Sequence, residues 1–126
     1  MNEEKKQPQD LKQRTKAFAL RVIRLYSALP KTTEAQVIGK QLLRFGTSVG
    51  AHYREAIRSR STAGFISRIE GGLQELEETG YWIELLIESK IISKDQLTNL
   101  LAEVNELTAI LVTCAKNARK KKSANE

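Results

Sequence analysis

Four runs of apolar residues at spacings of three and four, joined by links of only a few residues, constrain this chain more than any other feature. Such spacing puts the apolar side chains on one face of an α-helix. The first run, Leu11, Phe18, Val22, Leu25 and Leu29 with Ile23 and Tyr26 widening it, predicts a helix over 10–29. Asp10 stands at its start as an N-cap, and Pro30 ends it because the residue before a proline avoids the α region. The second run, Ile38, Leu42, Phe45, Val49, Tyr53 and Ile57, predicts 33–59, with Thr33 and Gln36 as a capping box. The third, Phe65, Ile69, Leu73, Leu76, Ile83 and Ile87 broadened by Tyr81 and Trp82, predicts 62–88. The fourth predicts 93–118: Leu97, Leu101, Val104, Thr108, Leu111 and Ala115 recur in a near-heptad pattern, with Leu100, Leu107 and Cys114 adjoining. Ser93 and Gln96 form a second capping box there, with Ile92 stapled on Leu97.

Long helices with short links must pack as antiparallel neighbours, so the expected fold is all-α, an antiparallel up-down-up-down four-helix bundle. The 126 residues suffice for one domain, 1–126, with flexible ends expected at 1–9 and 119–126, where an apolar face is missing. Two prolines and seven glycines are too few turn formers for a sandwich or barrel. Glycine inside a helix costs up to about 1 kcal/mol against alanine, so each one needs a reason. Gly46 and Gly50, four apart on one face, fit close helix packing. At Gly71-Gly72 a kink and a close approach both fit.

Several function classes drop out. Cys114 is the only cysteine, which excludes an internal disulfide and a multi-cysteine zinc site; a small core residue is its simplest reading. The longest uncharged apolar stretch, 107–115, falls well short of the roughly 18 residues of a spanning helix, and the polar start has no signal-peptide core. A cytoplasmic protein without a membrane partner is expected. His52 and Glu55 are three apart on one helix face, but the Glu-x-x-His order of metal-holding bundles is reversed and a second histidine is lacking, so neither metal nor cofactor is expected. Gly46-Thr47-Ser48-Val49-Gly50 matches G-x-S-x-G letter for letter. It lies inside a helical pattern with no strand before it, so small residues for packing explain it better than a nucleophile elbow. No catalytic residue, and no enzyme, is expected. Glu75, Glu77, Glu78, Glu84 and Glu88 read as a solvated acidic face.

Charge is more informative. The total of +6 conceals 14 basic and 5 acidic side chains over 1–68, 2 and 9 over 69–115, and 5 and 1 over 116–126. Solvated faces of different sign fit this pattern, and so does self-association of a basic face with an acidic one. Arg14, Arg21 and Arg24 form a strip on the first helix; Lys40 with Arg44 and Arg54 with Arg58 share faces on the second, and Arg60 follows. Arg68 and Arg119-Lys120-Lys121-Lys122 add to them. Phosphate contacts need only charge and donors, so these residues are candidates for sequence-independent binding of RNA or DNA. Few aromatics accompany them, which gives base stacking little support. A solubilising surface salt-bridged to the acidic half, or a protein-interaction module, fits the same charges.

The stretch from Gln41 through Ala56, centred on Phe45-Gly46-Thr47-Ser48-Val49-Gly50-Ala51-His52-Tyr53-Arg54-Glu55, resembles the four-helix-bundle proteins associated with 23S ribosomal RNA intervening sequences. So do Phe65-Ile66 and the segment Glu75 to Leu86 with Glu78-Thr79-Gly80-Tyr81-Trp82. Where that family usually has Asn, this chain has His52. The resemblance implies a small bundle assembled as a homopentameric ring. A related branch is similar to accessory proteins of diversity-generating retroelements, which implies nucleic acid and a reverse transcriptase as partners.

Overall fold

A helix starts where a side chain can satisfy backbone N–H groups that have no partner in the preceding turn. The computed structural model describes residues 3–124, and side-chain placement over 11–124. It contains α1 (Glu3–Ala28), α2 (Thr33–Ile57), α3 (Thr62–Glu88) and α4 (Lys94–Ala124). Thr32, not Thr33, caps α2: its hydroxyl accepts from the Ala35 N–H at 3.4 Å. Gln36 does not close a capping box; its amide donates to the Pro30 carbonyl at 2.8 Å and its side-chain oxygen accepts from the Tyr26 hydroxyl at 3.1 Å, which ties down the first link. Ser61 caps α3 by accepting from the Gly64 N–H at 3.0 Å. The Ser93 hydroxyl donates to the Gln96 side chain at 3.1 Å rather than accepting from the backbone, so the second expected capping box is also corrected.

The outer boundaries differ from expectation as well. Asp10 lies inside α1 rather than at its start, and its side chain is outside the described residues. α2 ends two residues before 59. α4 continues past 118 to Ala124 although its last turns lack an apolar face, because Lys121 and Lys122 complement the negative end of the helix dipole. The α3 terminus is a Schellman turn: Lys90 N–H donates to Ile87 O at 3.0 Å and Ile91 N–H to Leu86 O at 3.1 Å. Lys90 takes the left-handed conformation there, φ 63°, at the position glycine usually holds.

Neighbouring helices run antiparallel, as their contacts in register require: Tyr26 lies against Gly39 and Thr15 against Gly50, Arg68 meets Glu55, and Val104 faces Gly80. α2 packs on α1 and α3, and α3 on α4; α1 and α4 approach only over a short length, and the diagonal pairs stay apart. This is a four-helix bundle. Phe18, Val22, Leu42, Val49, Ile69, Leu76, Ile83, Leu107 and Leu111 fill its centre. The buried face of α4 is rotated from the expected one, with Leu100 and Leu107 buried in place of Leu101 and Thr108. By length and composition α4 alone could cross a bilayer. Its buried stripe is committed to the core, however, and the only charges between Leu97 and Ala115, Glu103 and Glu106, reach back to α1.

The helical glycines have spatial reasons. A Cβ on Gly46 would sit 2.8 Å from Val22 Cγ2, and one on Gly50 3.0 Å from Thr15 Oγ1, so α1 and α2 meet backbone to side chain along this line. α3 runs uninterrupted through Gly71-Gly72; Gly71 leaves room for the His52 ring, which a Cβ would approach to 2.9 Å.

Candidate nucleic-acid interface

The register of the bundle divides the expected cationic set into three parts. Arg14 turns inward to α4. Its guanidinium donates to both Glu103 oxygens, at 2.8 and 2.9 Å, and to Glu106 at 3.1 Å. These bonds hold the guanidinium firmly protonated, above even its usual range. Arg14 therefore clasps the wide α1–α4 seam, and a bidentate carboxylate pair leaves it little to offer a phosphate.

Arg21 and Arg24 on α1 come level with Lys40 and Arg44 on α2, because Val22 packs on Gly46 and Tyr26 on Gly39. Arg24, Lys40 and Arg44 are exposed and Arg21 is half-buried, with Arg44 stacked over the Phe45 ring at 5.4 Å. Exposed Leu20 and Ile23 lie among the α1 members of this belt. Arg54, Arg58 and Arg60 lie elsewhere, at the pole where α2 ends. Arg44 and Arg58 are 14 residues apart along α2 and its C-cap, roughly 21 Å at the helical rise. None of these seven cations forms an ion pair among the described residues.

The pole also contains the lysine run that the sequence adds to the main candidates. Because α4 stays helical to Ala124, Lys120, Lys121 and Lys122 stand on a formed helix there. Lys121 and Arg60 line one crevice with Ser59, Ser61, Thr62 and Phe65. The signal for this extension is the run of cations itself, which suits a helix C-terminus even where apolar periodicity has stopped.

The acidic residues gather on α3. Glu70, Glu77 and Glu84 border a groove between α3 and α4 that Tyr81, Leu101 and Val112 also line. Between α2 and α3, Glu75 is hydrogen-bonded to His52 Nδ1 at 2.5 Å. Glu55 pairs with Arg68 at 3.0 Å, so His52 and Glu55 serve different partners on α3. The Ser48 hydroxyl donates to the Arg44 carbonyl at 2.7 Å within its own helix and is not paired with His52.

Tyr53 carries the most perturbed phenol. It is almost fully buried, and burial, with a further contribution from Cys114, pushes it from 10 up to about 12. Burial pushes the Cys114 thiol up too; that residue packs against the core while half-exposed. A raised folded-state pKa means that stability is complete below the unfolded value near 10 and is lost as pH rises from 10 to 12. Across that window Tyr53 is expected to cost about 2–3 kcal/mol. Thermal melts of Tyr53→Phe against the parent should show a shallower alkaline decline, and an unchanged decline contradicts the assignment.

The chain matches one family and several solved structures. The family described as 23S rRNA-intervening sequence protein matches residues 7–113. The crystal structure of a protein of unknown function from the S23 ribosomal protein family of Bacteroides thetaiotaomicron superposes with a TM-score of 0.81 at 36% identity, covering 86% of this chain and 97% of the other. No curated protein matches.

Proposed function

Because the chain belongs to the family of 23S rRNA-intervening sequence proteins, we propose that it is a non-enzymatic, self-associating four-helix scaffold that holds RNA or DNA by the phosphate backbone. The observation that carries this reading is the set of seven cations, Arg21, Arg24, Lys40, Arg44, Arg54, Arg58 and Arg60, left without carboxylate partners among the described residues. Ion pairs to phosphate need no base readout, and the scarcity of aromatics argues for backbone binding over stacking. The separate engagement of Ser48, His52 and Glu55 supports a role without catalysis.

Self-association is supported by complementary faces on one chain. Leu20 and Ile23 with Arg21 and Arg24 match the apolar, acid-rimmed groove of Tyr81, Leu101, Val112, Glu77 and Glu84 in both hydrophobicity and sign. A contact between two different surfaces of identical chains is head-to-tail and closes into a ring when its rotation permits. Light scattering that reports only a monomer at every salt concentration contradicts this part.

Filter binding of an RNA duplex and a DNA duplex over a salt series tests the main reading. The logarithm of the affinity should fall linearly with the logarithm of salt, with a slope of about −0.9 per phosphate contact for the DNA duplex. Affinity at low salt no better than that of a neutral control protein overturns it. The same groove favours a second reading, a protein-interaction module without a nucleic-acid role, in which partner capture survives nuclease treatment.

A further inference from the structure

The two groups of unpaired cations differ in what surrounds them. The belt of Arg21, Arg24, Lys40 and Arg44 includes exposed apolar side chains on α1, and the groove on α3 and α4 has the complementary character. The pole has no such partner elsewhere among the described residues. Its two carboxylates on α2 and α3, Glu55 and Glu70, are already engaged by Arg68 and Arg119. Arg54, Arg58, Arg60, Lys120, Lys121 and Lys122 are all exposed there with no ion pair among the described residues.

We propose that this pole, and not the belt, is the phosphate-backbone site: the crevice between the 58–62 turn and the last turns of α4 seats a phosphodiester between Arg60 and Lys121. The inference rests on the polyanion reading above and says where that polyanion lies. Like charges crowded onto one end repel each other, and a polyanion removes that repulsion while releasing its own counterions. Hydroxyl-bearing Ser61 and Thr62 line the same crevice of about 370 Å³ and add neutral donors, while the Ser59 hydroxyl beside them donates to the Glu55 carbonyl at 3.1 Å. The adjoining first turn of α3 contributes the positive end of a 27-residue helix. The dipoles of α4 and α2 account for Lys121 and Lys122 and for Arg54 and Arg58 at their ends, but not for Arg60, which belongs to the link beyond α2. The lysine run lies beyond residues 7–113, over which the family matches.

Two variants with equal loss of charge separate the sites. The pole variant carries Arg58→Gln, Arg60→Gln, Lys121→Gln and Lys122→Gln; the belt variant carries Arg21→Gln, Arg24→Gln, Lys40→Gln and Arg44→Gln. Binding of a 20-base-pair RNA duplex, and of a DNA duplex of the same sequence, is followed by fluorescence anisotropy from low to high salt. The pole variant should lose at least about 100-fold in affinity near 0.1 M salt, with a salt slope smaller by about 3. The belt variant should keep the parental slope even where reduced self-association lowers its affinity. Equal loss of slope in the two variants, or a greater loss from the belt, overturns the pole assignment while the polyanion reading stands. Failure of the parent protein to bind either duplex overturns both. Unchanged circular-dichroism melts verify that each variant is folded, which matters most for the belt variant because Arg21 is half-buried.

Discussion

Gly46→Leu is expected to lower the unfolding free energy by at least about 3 kcal/mol, measured by urea denaturation, because it inserts a side chain where none fits. Even a single Cβ at this position would lie 2.8 and 2.9 Å from the two Val22 methyls. Val22 is fully buried and β-branched, so it can neither swing away nor change rotamer cheaply. Gly46→Ala should therefore cost about 1–2 kcal/mol despite the roughly 1 kcal/mol that alanine returns in helix propensity. Adding Val22→Ala should give a double variant less destabilised than the sum of the two single ones; strict additivity contradicts a close seam. Gly80→Ala is the control. Its Cβ would meet Val104 at an ordinary 3.6 Å, so the same exchange should stabilise by up to about 1 kcal/mol.

Phe18→Ala should cost about 3–5 kcal/mol, since Phe18 is among the largest fully buried side chains and its removal leaves a cavity at the centre. Two residues away, Leu20 is 45% exposed in the single chain, and under conditions that keep the chain monomeric Leu20→Ala should stay within about 0.5 kcal/mol of the parent. Thermal melts of the two variants report directly on which face of α1 the core occupies. Equal losses at both positions contradict the placement of Phe18 in the core and Leu20 on the surface.

The α1 stripe is legible in the sequence because periodicity is a local property. Leu11, Phe18, Val22 and Leu29 recur at helical spacing and all four are buried, although Ile23, expected to widen that stripe, is 41% exposed. The same logic is less exact for α2 and α4. Ile57, expected on the core face, is 37% exposed, while Ala35, Gly39, Gly46, Gly50 and Ala56 are buried along the contacts of α2. A small residue has a weak apolar signal, yet it marks where two helices approach most closely. The same applies to Leu100 and Leu107: two apolar rows run side by side on α4, and only packing chooses between them.

The candidate interface is legible as a set of cations but not as a place. Arg14 looks like its neighbours Arg21 and Arg24, yet its partners Glu103 and Glu106 lie about 90 residues away in the chain. The partner of His52, Glu75, belongs to a different helix. Which charges are consumed depends on helix rotation and register, and those follow from side-chain packing rather than from any local pattern.

Four helices, most of the inward stripe of α1 and an excess of basic over acidic residues along 1–68 follow from the sequence by itself, because residue spacing and composition act over a few turns of one helix. Tertiary structure alone decided that Arg14 becomes a clasp and that the remaining candidates divide into a belt and a pole. It also showed α4 continuing as a helix that brings its lysines beside Arg60. Electrostatic partners are assigned by distances of a few ångströms between helices, and only the assembled bundle sets those distances.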